Sequence, residues 1–428
     1  MDPFTDIAGL HVAFGAGETT PAALAEAQLE RIDRLNPRLN AFVDLDPEGA
    51  EQAAVESGTR FAAAAPRELE GVTIGIKSSI AVAGLPWTAG MELHRGRIAQ
   101  HDAGVVARLR AAGAVVLGTL AMHEAALGAT TDNRWFGRTF NPHGEGRTPG
   151  GSSGGSGAAV AAGLCVAALG TDTLGSVRIP AAYNGVYGLK PTRGALPDDG
   201  LEPLHREFDE IGPLARSVDD LEALWFALTG PPTTTAAPGR VLTLDGFGGV
   251  ECQPAVLAGY AGALGALPGE RATLSLPPLG AIRTAAFIES ALALDEHLGE
   301  DRGSEFLSPE LRWMLTFGRK AMRQTALVEE VAGAVREAVG EDGVLLLPTA
   351  PQAAFRQGSR PPTTQADFTA LASIAGLPAL SLPSGRDADG MPVAVQLVGP
   401  PGGESMLFDL ARTLDAALAA YAPPSLED

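Results

Sequence analysis

The sequence predicts an α/β fold built on a single large mixed β-sheet flanked by helices. Two observations predict it. Short apolar runs bounded by glycine or proline recur at residues 72–77 (VTIGIK), 114–120 (AVVLGTL), 165–172 (CVAALGTD), 344–349 (VLLLPT), 379–384 (ALSLPS) and 393–399 (VAVQLVG). Runs of this length and composition suit strands buried on both faces. Between them lie segments with helical spacing, at 102–112, 155–163, 218–229, 283–298, 309–340, 366–375 and 404–421. Strands that alternate with helices place the sheet in an α/β domain.

The elements follow in order. Thr20 is an N-cap, Pro21 takes the first helical position, and AALAEAQLERIDRLN continues with apolar residues at helical spacing until Asn36-Pro37, where the helix is expected to end. The stretch TGPPTTTAAPG (229–239) is linker-like and reads as a surface loop, because the strands after residue 340 look like more of the same sheet. Residues 1–428 therefore read as a single domain, and no internal repeat is visible.

Composition narrows the function. With 428 residues, 45% of them hydrophobic and 19% charged, the chain can bury a large core without a partner. Lys and Arg number 31 against 51 Asp and Glu, a formal charge of −20, which disfavours direct nucleic-acid binding and favours solubility. Every apolar stretch of membrane-spanning length is interrupted, and MDPFTDIAGL has no basic start leading into an apolar run, so neither a membrane span nor secretion is expected. Two cysteines, Cys165 and Cys252, are too few for a disulfide framework and point to a reducing cytoplasm. The histidines (His11, His94, His101, His123, His143, His205 and His297) form no HExxH or HxH pair, so no metal site is expected.

The chemistry is concentrated in GGSSGGSGAAVAAGLCVAALGTDTLGSVR, from Gly150 to Arg178. No lysine follows the glycine-rich loop as a nucleotide-binding P-loop requires, no GxGxxG follows a strand, and the glycines around Ser153 do not make a GxSxG elbow. Thr173-Leu174-Gly175-Ser176 follows an apolar strand, and a tight turn there can aim successive backbone N–H groups at one point beside a nucleophilic hydroxyl. That hydroxyl needs a base. With no histidine at a persuasive position, Lys77, at the end of VTIGIK, is the candidate if burial leaves its amine neutral. The other reading, a strand-end lysine that reaches water, is left open by spacing alone.

These residues resemble the amidase signature family. The resemblance rests on GIKSSIAVAGLPWTAG, RTPGGSSGGSGAAVAAG, LGTDTLGSVRIPAAYNGVYGLKPTRG, DEIGPLARSVDDL, AGLPALSLPSG and PVAVQLVGPPGGE, and covers roughly residues 20–230 and 340–421. It implies the amidase signature fold, with a short variable specificity region at about 230–340. It further implies Lys77 as general base, Ser152, on a cis Gly151–Ser152 peptide, as proton relay, and Ser176 as nucleophile. Backbone N–H groups of Thr173, Leu174, Gly175 and Ser176 would receive the oxyanion, and neither cofactor nor metal is needed.

AALGATTDNRWFG (125–137) matches the family region that lines the acyl pocket, which makes Ala126, Thr130, Thr131 and Trp135 candidate substrate contacts, with Trp135 as core the alternative. Asp172 and Arg178 read as braces of the turn, with capture of a substrate carboxylate the other role for Arg178. His205, Trp313 and Phe317 lie where the family varies. The sequence departs from the family pattern at Leu174, often a small residue, at Ser78-Ser79, where an acidic residue is common, and at LGTLAM, which lacks a frequent asparagine. These changes leave the three proposed catalytic residues intact and the substrate open.

The leading reading is a stand-alone amidohydrolase acting on a small carboxylic amide, with Leu174 and Trp135 favouring a modest apolar or aromatic acyl group. One alternative is the glutaminase (A-type) subunit of a tRNA-dependent amidotransferase, whose partner subunit would contact RNA. Another is a non-catalytic protein that binds an anion or small molecule on the same fold. A homodimer is the expected assembly of a soluble enzyme.

Overall fold

The computed structural model describes residues 2–231 and 238–426. Among them, eleven strands form one mixed sheet. From edge to edge it runs Phe42–Leu45, Val115–Leu120, Thr73–Lys77, Ala167–Asp172, Glu210–Ala215, Tyr187–Lys190, Ala379–Arg386, Pro392–Val398, Gly343–Pro348, Arg240–Leu244 and Glu270–Leu274. All six apolar runs singled out in the sequence are strands of this sheet. Thr73–Lys77, Val115–Leu120, Ala167–Asp172, Gly343–Pro348 and Pro392–Val398 are buried at every position.

Burial on both faces shows as alternation along the strands. Val116, Ala167 and Leu169 pack into the core on one side of the sheet, Val115, Leu117 and Ala168 into the core on the other. Thr73–Lys77 pairs in parallel with both Val115–Leu120 and Ala167–Asp172. The connections between these strands carry the helices Gly104–Ala111 and Gly154–Ala161, as parallel pairing requires. This arrangement brings the ends of Thr73–Lys77 and Ala167–Asp172 side by side, and the candidate residues Lys77 and Ser176 lie at or just beyond those ends.

Several elements differ from expectation. The first predicted helix spans Pro21–Leu39, with the Thr20 side chain accepting from Ala23 N–H, but it runs past Pro37 and ends where Asn40 adopts a left-handed conformation. The stretch 309–340 is two helices, Pro309–Lys320 and Thr325–Val339, because Ala321 turns extended. Strands Glu210–Ala215 and Tyr187–Lys190 escaped the pattern because glycine and proline interrupt them, and Arg240–Leu244 and Glu270–Leu274 because charges do. Helix Pro47–Ala62 had a readable signal: Asp46 caps it by accepting from Gly49 N–H, with Pro47 at the first position.

In the linker-like stretch, residues 232–237 lie outside the described residues. Cys165 and Cys252 are free thiols. Among the described residues, no helix is long and apolar enough to cross a membrane.

Candidate active site

Lys77 closes its strand, the third from one edge of the sheet, and is fully buried, so it does not reach water. Its Nζ lies 2.7 Å from Ser152 Oγ and 2.6 Å from Thr171 Oγ1. Burial pushes the amine down from 10.5 to about 7, against the raising effect of the Asp209 and Asp172 charges.

Ser152 belongs to the loop that enters helix Gly154–Ala161, and the Gly151–Ser152 peptide is cis. The loop needs glycine for close approach. A Cβ on Gly155 would fall 2.4 Å from the Ala121 carbonyl oxygen. Ser153 Oγ donates to Thr171 O (3.1 Å) and accepts from Thr171 N–H (3.2 Å), clipping the loop to the strand that leads to Ser176. Thr131 Oγ1 donates to Gly150 O (2.8 Å) and accepts from Gly154 N–H (3.1 Å).

The turn after Asp172 is wound around that residue's carboxylate. It accepts from Gly175 N–H (2.7 Å), Val177 N–H (3.2 Å), and Arg178 Nε and Nη2 (2.9 Å each). Burial alone would push Asp172 up, but the Arg178 guanidinium and these donors hold it below the usual carboxylate range. Gly175 sits at φ 127°, and a Cβ there would meet Thr369 Oγ1 at 2.2 Å. Ser176 follows, with its backbone carbonyl accepting from Ser153 N–H (3.1 Å) and its side chain at a cavity of about 550 Å³.

Of the sequence-predicted contacts, Ala126, Thr130, Thr173 and Leu174 line this cavity with Ser176. Thr131, Trp135 and Arg178 do not. Thr131 is fully buried beneath the loop, and the Trp135 indole N–H is spent on Glu124 Oε1 (2.9 Å). Arg178 is fully buried away from the cavity, with its guanidinium divided among Asp172, Gln396 Oε1 (2.8 Å) and Ser373 Oγ (2.9 Å), so it braces the turn and is not placed to meet a substrate carboxylate. The Gly175 N–H, expected to face an oxyanion, is committed to Asp172. Trp313 and Phe317 stack on each other at the cavity mouth, whereas His205 stacks on Phe208 and lines a neighbouring cleft.

Sequence reasoning missed four side chains. Asp209 is half-buried, accepts from Thr173 Oγ1, Leu204 N–H and His205 N–H, and is pushed up by desolvation. It opens the segment DEIGPLARSVDDL, which carried the signal. His123, Arg283 and Glu310 line the cavity from elements far apart in the chain, and no local pattern marks them.

The sequence pattern of the family described as Amidase matches residues 23–237 and 291–408. The A-type subunit of glutamyl-tRNA(Gln) amidotransferase from Deinococcus radiodurans is 34% identical over 473 aligned positions, covering 97% of this chain and 98% of that protein. A solved structure described as an amidase superposes with a TM-score of 0.88 at 32% identity, covering 97% of this chain and 100% of its own. The peptide amidase in complex with the competitive inhibitor chymostatin has a TM-score of 0.82 at 27% identity, with 99% of both chains covered.

Proposed function

From the premise that this chain belongs to the amidase signature family and hydrolyses amides, we propose that Ser176 cleaves the C–N bond of a small carboxylic amide through an acyl-enzyme. Lys77 serves as base and Ser152 as relay. The observation that carries this reading is the buried Lys77 amine, held near neutrality at 2.7 Å from Ser152 Oγ. Neutral Lys77 takes the Ser152 proton while Ser152 takes that of Ser176, whose oxygen attacks the carbonyl. The N–H groups of Thr173, Leu174 and Ser176 receive the oxyanion, with Gly175 shaping the turn instead. The proton returns through Ser152 to the leaving nitrogen, and water then releases the acid by the same relay.

The sign of the pH dependence follows. A protonated Lys77 cannot accept, so kcat/KM falls tenfold per unit on an acid limb below about pH 7. A profile that stays flat from about pH 5 to about pH 8 with chemistry rate-limiting would remove Lys77 from the role of base.

Leu174, Leu204, Phe287, Trp313, Met314 and Phe317 make the cavity walls largely apolar, which suits an apolar or aromatic acyl group. Much of this wall comes from the 230–340 segment, which we read as the specificity region of a single domain. Trp313→Ala is expected to lower kcat/KM roughly tenfold on aryl amides, the scale of about 1.5 kcal/mol of lost apolar burial, and to affect acetamide little. Equal losses on both would sink the assignment of Trp313 to the acyl group.

A second reading is the glutaminase component of a tRNA-dependent amidotransferase, and the named relatives weigh toward it more than toward a free amidase. The cavity offers it one specific feature. Among the described residues Arg283 gives only its Nε to Asp367 (2.6 Å), with no partner on either Nη group, which suits a carboxylate such as that of glutamine. Ammonia release from glutamine and from a panel of apolar amides, measured on the purified chain and on any polypeptide that co-purifies with it, decides between the two. Glutamine turnover that needs the second polypeptide favours the amidotransferase; turnover of apolar amides by the chain alone favours the free amidase. Either activity belongs in a reducing cytoplasm, where the two cysteines stay thiols.

A further inference from the structure

When Lys77 takes up a proton, an ammonium forms inside the protein, and a buried cation needs a counter-charge to form at low cost. Two carboxylates act on this amine, and the charge of Asp209 raises it more than that of Asp172 does. Asp172 is already neutralised by the bidentate Arg178 guanidinium. Asp209 stands differently. Its Oδ1 accepts from Thr173 Oγ1, and its Oδ2 accepts from Leu204 N–H (2.7 Å) and His205 N–H (2.9 Å). All three donors are neutral, and among the described residues no cation pairs with this carboxylate. Donors aimed at a carboxylate favour its charged form, here against the raising effect of desolvation.

The sheet sets this carboxylate beside the amine. Strand Ala167–Asp172 lies between Thr73–Lys77 and Glu210–Ala215. Thr171 pairs with Ile211 and Asp172 with Glu210, and the same register continued by one residue sets Thr173 opposite Asp209. Lys77 therefore reaches the end of the middle strand from one side, with Nζ 2.6 Å from Thr171 Oγ1, and Asp209 reaches it from the other, on Thr173 Oγ1. The other charged groups nearby do not take this place. His123, which feels the Lys77 charge, is lowered to about 4 by burial and is neutral. Glu210, next to Asp209, is opposed by Lys190 and Arg193. Asp198 and Arg206 line a small cleft with Asp209, but Arg206 is exposed and forms no ion pair with it.

We propose that Asp209 is a positioning residue for the amide hydrolysis: its carboxylate is the counter-charge of the Lys77 ammonium and ties Thr173 of the oxyanion turn to Leu204 of the cavity wall. No proton passes to Asp209 and no bond to it forms. The positive charge on Lys77 appears when the nucleophile gives up its proton and disappears when that proton returns through Ser152 to the leaving nitrogen. A fixed negative charge beside it stabilises the charged stage of each half-reaction without having to reorganise. The proposal rests on the reading of Lys77 as base.

The chain has three lysines, Lys77, Lys190 and Lys320, so nuclear magnetic resonance of protein carrying lysine labelled at Cε follows each one through a pH titration, with the Lys77 signal identified by its loss in Lys77→Met. Wild-type Lys77 is expected to titrate at about 7. Asp209→Asn keeps the size and an acceptor for the two N–H groups but removes the charge, and lowers that midpoint by about one pH unit. Asp209→Ser, also uncharged, lowers it likewise, whereas Asp209→Glu keeps the charge and holds it near wild type. In turnover, the acid limb of kcat/KM moves to lower pH with the midpoint, and the plateau falls by up to about tenfold. A brace without an electrostatic role would lower the plateau and leave the limb in place. A Lys77 midpoint that both uncharged variants leave unchanged overturns the proposal, and so does an acid limb that stays where it is in wild type. A wild type with no acid limb removes the base reading instead, and the Cε titration then still decides whether Asp209 supplies the charge at Lys77.

Discussion

Ser176→Ala is expected to lower amide turnover by on the order of 10⁴-fold or more while leaving the fold unchanged. The attacking oxygen is lost, and no neighbour replaces it. Ser152 is fully buried against Lys77, and Ser153 is engaged in both directions with Thr171, so neither opens to the substrate as Ser176 does. The Ser176 backbone, which carries the turn, is untouched, so the thermal midpoint should stay within the range of a surface substitution. The measurement is ammonia release from whichever amide the wild type cleaves best, with equal folded protein in each assay. Residual turnover within tenfold of wild type would falsify Ser176 as the nucleophile.

Arg178→Met is expected to be the most destabilising single change at the site. Arg178 and Asp172 are both fully buried, and the pair is bidentate at 2.9 Å. Removing the guanidinium leaves a buried carboxylate without its counter-ion, which costs about 3–5 kcal/mol. The pH dependence gives a second check. In wild type the folded-state pKa of Asp172 is depressed, so its stabilisation is present above the unfolded value of 3.8 and is lost as pH falls through the lower folded value. In the variant the Arg178 contributions are gone while the raising effect of burial stays, so the deficit is expected to be largest at neutral pH and to shrink on acidification. Urea unfolding at neutral and acidic pH measures both. A deficit under about 1 kcal/mol at neutral pH would show that the turn holds Asp172 without Arg178.

Much of the sheet was legible because a strand buried on both faces is written locally, as a short apolar run between turn residues. The six runs from 72–77 to 393–399 needed nothing else. Strands such as Glu210–Ala215 were not legible, since Pro213 and Gly212 argue against a strand until neighbours on either side pair with it. Lys77 and Ser176 were marked by the residues around them, an apolar strand end and a tight turn, whereas Ser152 came only with the family resemblance.

What the sequence by itself determined, then, is the set of buried strands, the loop and turn that mount these three residues, and the family they resemble. Tertiary structure alone decided the lowering of the Lys77 amine, which depends on burial among residues distant in the chain, such as Thr171, 94 positions away. It also decided which donors of the turn are free, because the Asp172 carboxylate claims the Gly175 N–H once Arg178 and Gln396 have oriented both side chains. The substrate walls belong to the same class. His123, Arg283, Glu310 and Trp313 meet only when helices Leu279–Leu298 and Pro309–Lys320 close over the sheet end. A cavity is the space left between packed elements, so no local pattern encodes it.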